Sequence, residues 1–409
     1  ADNDAHRLFW VEWGALRLAW VRLTGGRVRQ SYTAPRTYHP PGTGDLLVGG
    51  GLIYVGDGSR TNEKGSAMMN ATTGVIFQGG RSFLGGGIYA FGSQSVVWMG
   101  SGCKVIENWA GYSGGGLHLS VGTSFTATDT QISNNYARIN GGGVFMKESS
   151  FTATNTQLKN NNAADNNGGG VYSYSSSFTA TNTEIESNVA GTSGAGIHLI
   201  ASSSFTATNT QIKNNTAGNN GGGIFASSCL SFKLMSTLVH TNTVNQGSGG
   251  GAYIINPAQI HVEGSTFVQN IATGTTQSQG GGLFISGVEP QHSFALVDTI
   301  FEGNLVESGN VGILQTSDAF QSSGGGLHLA KIITTNFIAS SLSFVSNIAG
   351  GHGGGATLDN VKSSLLMTAL DLSNFLFKNN SAMTDGGGLA LYGETSVKLV
   401  NNTLLERNV

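Results

Sequence analysis

The chain has 409 residues, of which 11% are charged and 63 are glycine, and its formal net charge is −3 at pH 7. An average globular protein carries about 25% charged residues, so a chain this poor in charge and rich in glycine and β-favouring side chains favours turns and strands over helices. The near-neutral charge, without a basic stripe, argues against nucleic acid as a partner, and no run of about 18 apolar residues would cross a membrane as a helix.

Residues 1–45 form the first predicted region, because they do not follow the pattern of the remaining chain. Alternating apolar and polar residues predict strands here, joined by a hairpin turn at Gly25-Gly26, with an amphipathic helix as the alternative. The region contains three of the five tryptophans, Trp10, Trp13 and Trp20. Two interpretations stay open: the region caps the first turn of the following fold, or its strands are exchanged with a neighbouring molecule and the tryptophans form an assembly segment.

Residues 46–409 repeat one unit, in which a glycine triplet precedes a hydrophobic-x-hydrophobic stretch. The clearest copies are 27 residues long, as from Gly141 to Gly168. Before most triplets a large apolar residue is followed three positions later by asparagine, as in Ile132 and Asn135. The triplets, one of them Gly-Ala-Gly, begin at residues 49, 85, 114, 141, 168, 194, 221, 249, 280, 324, 353 and 386. This recurrence indicates a repeat architecture.

Each copy contains three short alternating stretches with glycine or asparagine at the corners, a pattern typical of strands. One copy would bury about five apolar side chains at about 1.5–3 kcal/mol each, whereas ordering its backbone costs at least about 1 kcal/mol per residue. A single copy therefore cannot fold alone, and neighbouring copies must stack. The prediction is an all-β fold, a right-handed parallel β-helix (β-solenoid) of about twelve rungs with three short strands per rung.

The glycine triplet, paired with an F-x-x-N motif such as Phe267 to Asn270, resembles the repeat of the chlamydial polymorphic outer membrane proteins. It is also similar to right-handed β-helix repeats of other bacterial and protist surface proteins. The resemblance covers about residues 46–409 and implies the β-helix fold and a place at the cell surface. It implies no single activity, because these families include adhesins, autotransporter passengers and uncharacterised surface proteins.

The middle position of each hydrophobic-x-hydrophobic stretch is predicted to face solvent. Ile53 takes this position in the first copy, and Thr357 and Ala390 take it in the last two. The intervening copies carry rings there: Tyr89, His118, Phe145, Tyr172, His198, Phe225, Tyr253, Phe284 and His328. Such a column either stabilises neighbouring rungs by stacking or is a stripe that contacts another protomer or sugar rings. The histidines are not on consecutive rungs, so we expect no metal site.

The second strand of four central copies reads S-F-T-A-T, with phenylalanine and alanine predicted inside and two threonines outside. The outward residues are Thr126, Thr128, Thr152, Thr154, Thr179, Thr181, Thr206 and Thr208. A regular T-x-T array resembles the ice-binding face of β-solenoid antifreeze proteins, which implies ice binding as one possible function. Threonine is also a common outward β residue with no further role.

Recurrent asparagines are predicted to form a corner ladder of side-chain amides, which is a structural role. They are found at positions 135, 161, 188, 215, 242, 270, 304, 347, 380 and 408. Sequons for N-glycosylation occur at Asn70, Asn214, Asn379 and Asn401. These sequons matter only if the protein is secreted by a eukaryote.

The sequence gives little support to catalysis. Polysaccharide-degrading β-helix enzymes need acidic residues that converge on one groove, whereas here Asp298, Asp359, Asp371 and Asp385 fall at different positions of the repeat. No lysine-serine or lysine-threonine pair follows the glycine triplets, so no phosphate-binding loop is predicted. The two cysteines are expected to be free thiols, and no cofactor is implied.

We therefore expect a non-catalytic structural or adhesive protein, extracellular or on the cell surface, that self-associates into an oligomer or filament and contacts glycans. An ice-binding module and a polysaccharide-degrading enzyme stay open as alternatives. The chain starts at Ala1 and stops within a repeat at Val409, so we expect it to be part of a longer protein. An uncapped last rung would leave strand edges that another chain could extend.

Overall fold

The structure is a computed structural model that describes residues 8–11, 14–27, 50–56, 67–274, 278–308, 323–363, 370–400 and 403–409. Over these residues the secondary structure is strand, turn and bend, with no helix. Internal contacts divide the chain into two compact units, Ala1–Thr179 (unit 1) and Ala180–Val409 (unit 2). The strand Ser177–Thr181 spans this division.

In each unit the strands form four parallel sheets, named A to D in the order in which one turn of the chain visits them. Sheet A of unit 1 contains Phe9–Val11, Ile53–Gly56, Ile88–Phe91, Leu117–Ser120, Val144–Lys147 and Val171–Tyr174. Sheet B contains Gly14–Ala19, Ala67–Thr73, Ser95–Met99, Ser124–Thr128 and Ser150–Thr154. Sheet C contains Arg22–Thr24, Ile76–Gln78, Lys104–Ile106, Gln131–Ser133 and Gln157–Lys159. Sheet D contains Arg81–Leu84, Trp109–Ser113, Tyr136–Ala137 and Asn162–Ala163.

Unit 2 repeats the same order of strands. Its sheet A contains Ile197–Ile200, Ile224–Ser227, Ala252–Ile255, Leu283–Val288, Leu327–Ile333, Ala356–Lys362 and Leu389–Tyr392. Sheet B contains Ser204–Thr208, Ser231–Met235, Gln259–Glu263, Ser293–Val297, Asn336–Ser340, Leu370–Ser373 and Val397–Val400. Sheet C contains Glu184–Glu186, Gln211–Lys213, Leu238–His240, Thr266–Val268, Ile300–Glu302, Ser343–Val345, Leu376–Lys378 and Leu404–Glu406. Sheet D contains Val189–Ala190, Thr216–Ala217, Thr243–Val244, Ile271–Gly274, Leu305–Ser308, Ile348–Ala349 and Ser381–Ala382.

Every strand pairs with the equivalent strand one repeat away, so Ser124–Thr128 aligns residue for residue with Ser150–Thr154. Parallel pairing between successive turns of one chain is the geometry of a coil, and the fold is the predicted all-β right-handed parallel β-helix. One detail differs from the prediction, because most of the described turns have a fourth strand: sheet D has 11 strands, whereas each of the other three sheets has 13. The additional strand lies in sheet D and is only two residues long in copies such as Tyr136–Ala137.

The predicted hairpin near the N-terminus is wrong. Phe9–Val11, Gly14–Ala19 and Arg22–Thr24 each pair in parallel with the strands that follow one turn later. They therefore form a further turn of the coil, and the glycine pair at 25–26 marks a corner between strands. The division of the chain at residue 45 stays a prediction.

The interior is built by alternation along each strand. In Ser124–Thr128 the side chains of Phe125 and Ala127 are buried, while the threonines point outwards. The phenylalanine rings of successive turns stack in unit 1, with centroids 4.6 Å apart between Phe125 and Phe151. In sheet C of unit 2 the Phe301 and Phe344 rings are stacked at 5.0 Å. The apolar positions of the repeat are therefore the core, as the sequence predicts.

Glycine is required where the chain turns from sheet D into sheet A. Gly141 has φ of +66°, a conformation that favours glycine. A Cβ on Gly142 would lie 2.5 Å from the carbonyl oxygen of Gly169, and one on Gly143 would lie 2.6 Å from that of Gly170. The triplet recurs because successive turns approach closely at this corner, and only one copy, with Ala195 at the middle position, has a side chain there.

The predicted asparagine ladder is confirmed at the corner between sheets C and D. In unit 1, Asn135 Nδ2 donates to Asn161 Oδ1 at 3.0 Å and to the Val105 carbonyl at 2.9 Å. In unit 2 the same amide-to-amide bond links the consecutive ladder residues from Asn188 to Asn408, at 2.9–3.0 Å. These side chains bind neighbouring turns to one another, so their role is structural.

Candidate functional site

The predicted column of rings exists in both units. In unit 1 it runs along sheet A from Trp10 through Tyr54, Tyr89, His118 and Phe145 to Tyr172, with centroid separations of 4.5–5.5 Å. In unit 2 it runs from His198 through Phe225, Tyr253 and Phe284 to His328, again at 4.5–5.5 Å. The ring column is thus a continuous stack within each unit.

The first member of the column was assigned to the wrong residue. Ile53 is fully buried in the core, and Tyr54 pairs with Tyr89 in the register of sheet A. The reason is the glycine that makes the turn. Gly50, with φ of +72°, takes the place that the first glycine of the triplet has in later copies, so the first copy is shifted by one residue.

The expectation that the column faces solvent is wrong for most of its rings. Tyr89, His118, Tyr172, His198, Phe284 and His328 are buried, and Phe145, Phe225 and Tyr253 are half-buried. Stacking covers both faces of a ring, and the first glycine of the triplet lies close to the base of the same side chain. A Cβ on Gly114, for example, would lie 2.8 Å from Cβ of His118. Burial favours the stacking interpretation for most of these rings, and contact with a partner or with glycans stays a prediction.

The three buried histidines share one local sequence and one structural environment. Each is the last residue of a Ser-Gly-Gly/Ala-Gly-Leu/Ile-His stretch, beginning at Ser113, Ser193 and Ser323. The Ser323 hydroxyl lies 2.9 Å from His328 Nδ1. Burial lowers the pKa of His118, His198 and His328 to about 3, so the three imidazoles are neutral at pH 7. A serine five residues before each histidine was the sequence signal for this shared environment, whereas burial itself does not follow the serine, since Tyr253 lies five residues after Ser248 and is half-buried.

The T-x-T threonines point outwards, as predicted. Thr126 aligns with Thr152, and Thr128 aligns with Thr154, across sheet B of unit 1. Thr152 is exposed and the other threonines of the array are half-buried. The threonine array ends within each unit. In unit 1 the residue aligned before Thr126 is Trp98, and in unit 2 the residue aligned after Thr206 is Lys233.

Two of the four sequon asparagines are accessible. Asn214 and Asn379 are exposed at equivalent corners and have positive φ angles of 55° and 54°. Asn70 is half-buried within a strand, and its Oδ1 is buried without a hydrogen-bond partner. Asn401 lies outside the described residues. Glycosylation of these sites stays a prediction.

The tryptophans of the predicted assembly segment lie in different settings. Trp10 is 40% exposed and stacks on Tyr54, as part of the ring column. Trp20 is 79% exposed at the corner between sheets B and C. Trp13 lies outside the described residues. Their role in assembly is untested.

The sequence analysis missed an aromatic and cationic surface on the first turns of unit 1. Trp98 lies outwards on sheet B in the same row as Arg17 and Asn70, which precede it by two turns and one turn. The signal that could have revealed it is a W-x-G pattern, present at Trp98-Met99-Gly100 and Trp109-Ala110-Gly111. In both cases the indole lies over the glycine two residues further on.

A second group of polar side chains was not predicted and lies on the last turns of unit 2. His352 Nδ1 is 2.7 Å from Thr384 Oγ1 and 3.4 Å from Asp385 Oδ2, and the imidazole packs edge-on against Tyr392 at 5.1 Å. Burial raises the pKa of Asp359, which aligns with Tyr392 in sheet A. Within the described residues, no three His, Cys, Asp or Glu side chains are placed to share a metal ion.

The cysteines are free thiols, as predicted, and both are buried. Burial raises the pKa of Cys103, and raises that of Cys229 to about 12, so neither is a reactive thiolate at pH 7. In the part of the chain that the structure describes, no helix has the length and apolar character to cross a bilayer.

Comparison with known proteins agrees with the fold. Residues 86–267 match the family model described as a right handed beta helix region. No curated protein and no solved structure matches the chain. Right-handed β-helix domains occur in pectate lyases, in other enzymes and in proteins that are not enzymes. The parallel sheets and this match over part of the chain together support a β-helix repeat protein, and the narrower resemblance to the chlamydial repeat stays an expectation.

Proposed function

We propose that this protein is a non-catalytic structural or adhesive component of the cell surface or extracellular space, and that it self-associates. The observation that carries the proposal is that the specific interactions run from one turn to the next within each unit. Asparagine amides, stacked rings and backbone ladders all repeat in this direction. A coil whose turns are cross-linked in this way resists extension. This property suits a protein that carries mechanical load or presents its surface to partners.

Side-chain ion pairs follow the same direction. Arg138 binds Asp165 at 3.0 Å on the next turn of unit 1. In unit 2, Lys378 binds Glu406 at 3.1 Å, and Lys362 binds Glu394. Exposed pairs of this kind contribute at most about 1 kcal/mol each. They add to the longitudinal cross-linking without forming a focused charged site.

The side of unit 2 formed by sheets C and D supports self-association. Ile271, Leu305 and Ile348 align across sheet D and all point outwards. Ile348 is 48% exposed, and Ile300 on the neighbouring sheet C is 41% exposed. A contiguous apolar row on an outer sheet face is typical of a protein-protein contact. We assign this row to contact with a second copy of the chain.

Sedimentation velocity tests the self-association. We expect species heavier than the 42.2 kDa chain at micromolar concentration, and a shift to monomer when Ile300→Lys and Ile348→Lys are combined. Thr216→Lys is the matched control, because Thr216 lies in the same outward row of sheet D but two turns before Ile271, where the row is polar. A chain that sediments as a monomer at every concentration would refute the self-association. Labelling of intact source cells with an antibody tests the location, and labelling only after lysis would contradict it.

Ice binding is the second candidate, because the outward threonines of the array are in register. Changing Thr152→Leu and Thr154→Leu is expected to abolish thermal hysteresis if the array binds ice, whereas Ser343→Leu on another sheet is not. A wild-type protein that shows no hysteresis ends this hypothesis.

A further inference from the structure

Six side chains surround the corner between sheets B and C on the first three described turns of unit 1. This group, called here the indole-cation surface, consists of Arg17, Trp20, Arg22, Asn70, Trp98 and Lys104. Arg17 aligns with Asn70, and Asn70 with Trp98, across sheet B. On sheet C, Ile76 aligns with both Arg22 and Lys104. Trp20 occupies the corner itself, with φ of 53°.

Both indoles lie against backbone because glycine stands beneath them. A Cβ on Gly74 would lie 2.6 Å from Cε3 of Trp20, and a Cβ on Gly100 would lie 2.6 Å from an atom of the Trp98 six-membered ring. A larger residue at Gly74 would lift the Trp20 ring, whereas one at Gly100 would also collide with the Thr72 carbonyl oxygen. One face of each indole is thus occupied by the backbone, which directs the opposite face outwards. Trp20 is 79% exposed, an unusual state for a side chain of this size.

Among the described residues, the charged members of the indole-cation surface are all cations. Arg17 and Arg22 are exposed and Lys104 is half-buried, and within the described residues none of the three forms an ion pair with a carboxylate. The one described acidic residue on these turns is Glu107, which accepts a hydrogen bond from Gln78 Nε2 at 2.6 Å. Asn70, between Arg17 and Trp98, has a buried Oδ1 without a partner.

We infer that the indole-cation surface binds an anionic oligosaccharide, with sugar rings on the two indoles and carboxylate or sulfate groups on the cations. The inference deepens the proposed adhesive function and rests on it for its biological setting. Tryptophan and arginine are the side chains that contribute most strongly to recognition surfaces. Arginine also binds planar oxyanions through two parallel hydrogen bonds.

A sparsely charged sugar polymer fits this surface better than nucleic acid does. Duplex and single-stranded nucleic acids carry a phosphate on every nucleotide, and their affinity depends on neutralising many of them. The surface offers three cations on a chain whose net charge is −3. The outward indole faces suit the C–H faces of pyranose rings. In a sparsely charged sugar polymer, an anionic group occurs only once every one or two of these rings.

Binding can be measured by titration calorimetry with the purified full-length chain. The probes are a hyaluronan dodecasaccharide with one carboxylate every two rings, a κ-carrageenan oligosaccharide of the same length with one sulfate every two rings, a neutral dextran oligomer and a single-stranded DNA 12-mer. Saturable binding to either anionic sugar supports the inference, and the preferred probe identifies sulfate or carboxylate as the anion. Equal binding to dextran, or tighter binding to the DNA, would overturn it.

Two sets of variants separate the indoles from the charges. Trp20→Ala with Trp98→Ala, and separately Arg17→Gln with Arg22→Gln and Lys104→Gln, are each expected to weaken binding by at least tenfold. Gly74→Ala keeps every charge and indole, and the atoms nearest to its Cβ all belong to the Trp20 ring, so it should lift that ring and weaken sugar binding without altering the salt dependence. Trp109→Ala and Arg138→Gln, on other faces of the same unit, are matched controls expected to change affinity less than twofold.

Undiminished sugar binding in the indole variant would refute the proposed geometry, provided that the far-ultraviolet circular dichroism shows intact β structure. The measurement does not depend on cellular location or self-association. If the protein lies on the cell surface and sediments as an oligomer but binds neither anionic sugar, the sugar-binding inference is therefore refuted and the proposed function is not. Sugar binding by a protein found only inside cells would instead contradict the proposed setting.

Discussion

The central turns and the first turns of this coil share their inward side chains and differ in their outward ones. The S-F-T-A-T turns place phenylalanine inside and threonine outside, as in Phe151 and Thr152. The first turns keep an apolar interior, with Met69 and Val97 in the corresponding positions, but carry Arg17, Asn70 and Trp98 outside. The inward side chains are constrained by stacking between turns. The outward row is free to vary, so differences between turns there are the signal for function.

The inward side chains of the two regions are expected to matter most for stability. The largest loss should follow the removal of one asparagine from the buried ladder. Asn242→Leu removes four side-chain hydrogen bonds, to Ile212, Asn215 and Asn270. Because the partners stay buried without replacement donors or acceptors, we expect a loss of about 3–5 kcal/mol in the free energy of unfolding. Urea unfolding followed by circular dichroism measures it.

The matched control for this change is Gln211→Ala, an exposed outward position one turn earlier. We expect it to alter the free energy of unfolding by less than about 0.5 kcal/mol. If the two variants unfold at the same urea concentration, the ladder does not hold the turns together. Repeat proteins can unfold in more than one step, so the midpoint of each transition should be compared separately.

The second prediction is that the buried imidazoles of the ring column make the folded chain less stable in acid. The pKa of His328 is about 3 in the folded chain, below the unperturbed value of about 6.5. Between these values the unfolded chain binds a proton that the folded chain does not, so stability falls as pH falls from about 6.5 towards 3. The slope is up to about 1.4 kcal/mol per pH unit for each such histidine. Above pH 7 these histidines contribute no pH dependence.

Replacing His328→Phe tests this, because phenylalanine already occupies the column at Phe284. The decrease in thermal midpoint between pH 7 and pH 4 should be smaller in the variant than in the wild type. His261→Gln is the control, since His261 is half-buried on the outside of sheet B and pairs with Glu263. An unchanged pH dependence in His328→Phe would mean that this imidazole is protonated in the folded chain.

Most of the fold could be predicted because its determinants recur in the sequence. Asn135 and the glycines near 141–143 each repeat at a fixed spacing, and one successful assignment gives the register of the rest. The shift at Ile53 arose where the first copy has one more apolar residue after its glycines, so that Gly50 makes the turn. Spacing alone does not reveal which of three glycines adopts the positive φ angle.

The candidate site was less predictable, because side-chain burial here depends on the neighbouring turns. Alternation correctly placed His118 on the opposite side of the strand from the core, yet the ring is 6% exposed. Its faces are covered by Tyr89 and Phe145, and its edge by the chain around Ser113. Likewise, nothing in simple alternation shows that Trp98 lies flat over Gly100. Both features require the packing of adjacent residues, which a one-dimensional pattern does not contain.

The smallest expected loss of stability comes from removing an outward ion pair on the central turns. Lys213 Nζ lies 2.5 Å from Glu184 Oε1 and 4.0 Å from Glu186 Oε1, across adjacent turns of sheet C. The hydrogen bond to Glu184 raises the pKa of Lys213. Lys213→Met removes this cross-link but keeps the aliphatic stem. Because the site is partly open to water, we expect a loss of less than about 1 kcal/mol, which 1 M salt should reduce further.

The same urea experiment measures this change, with Lys159→Met as the control, since Lys159 occupies an equivalent outward position of sheet C. A loss from Lys213→Met that approaches that of Asn242→Leu would show that outward ion pairs stabilise the coil as strongly as the ladder does. The outward rows would then be constrained by stability, and their variation between turns could no longer be taken as a sign of function. A small, salt-sensitive loss leaves those rows free for binding, which is the condition that the indole-cation surface requires.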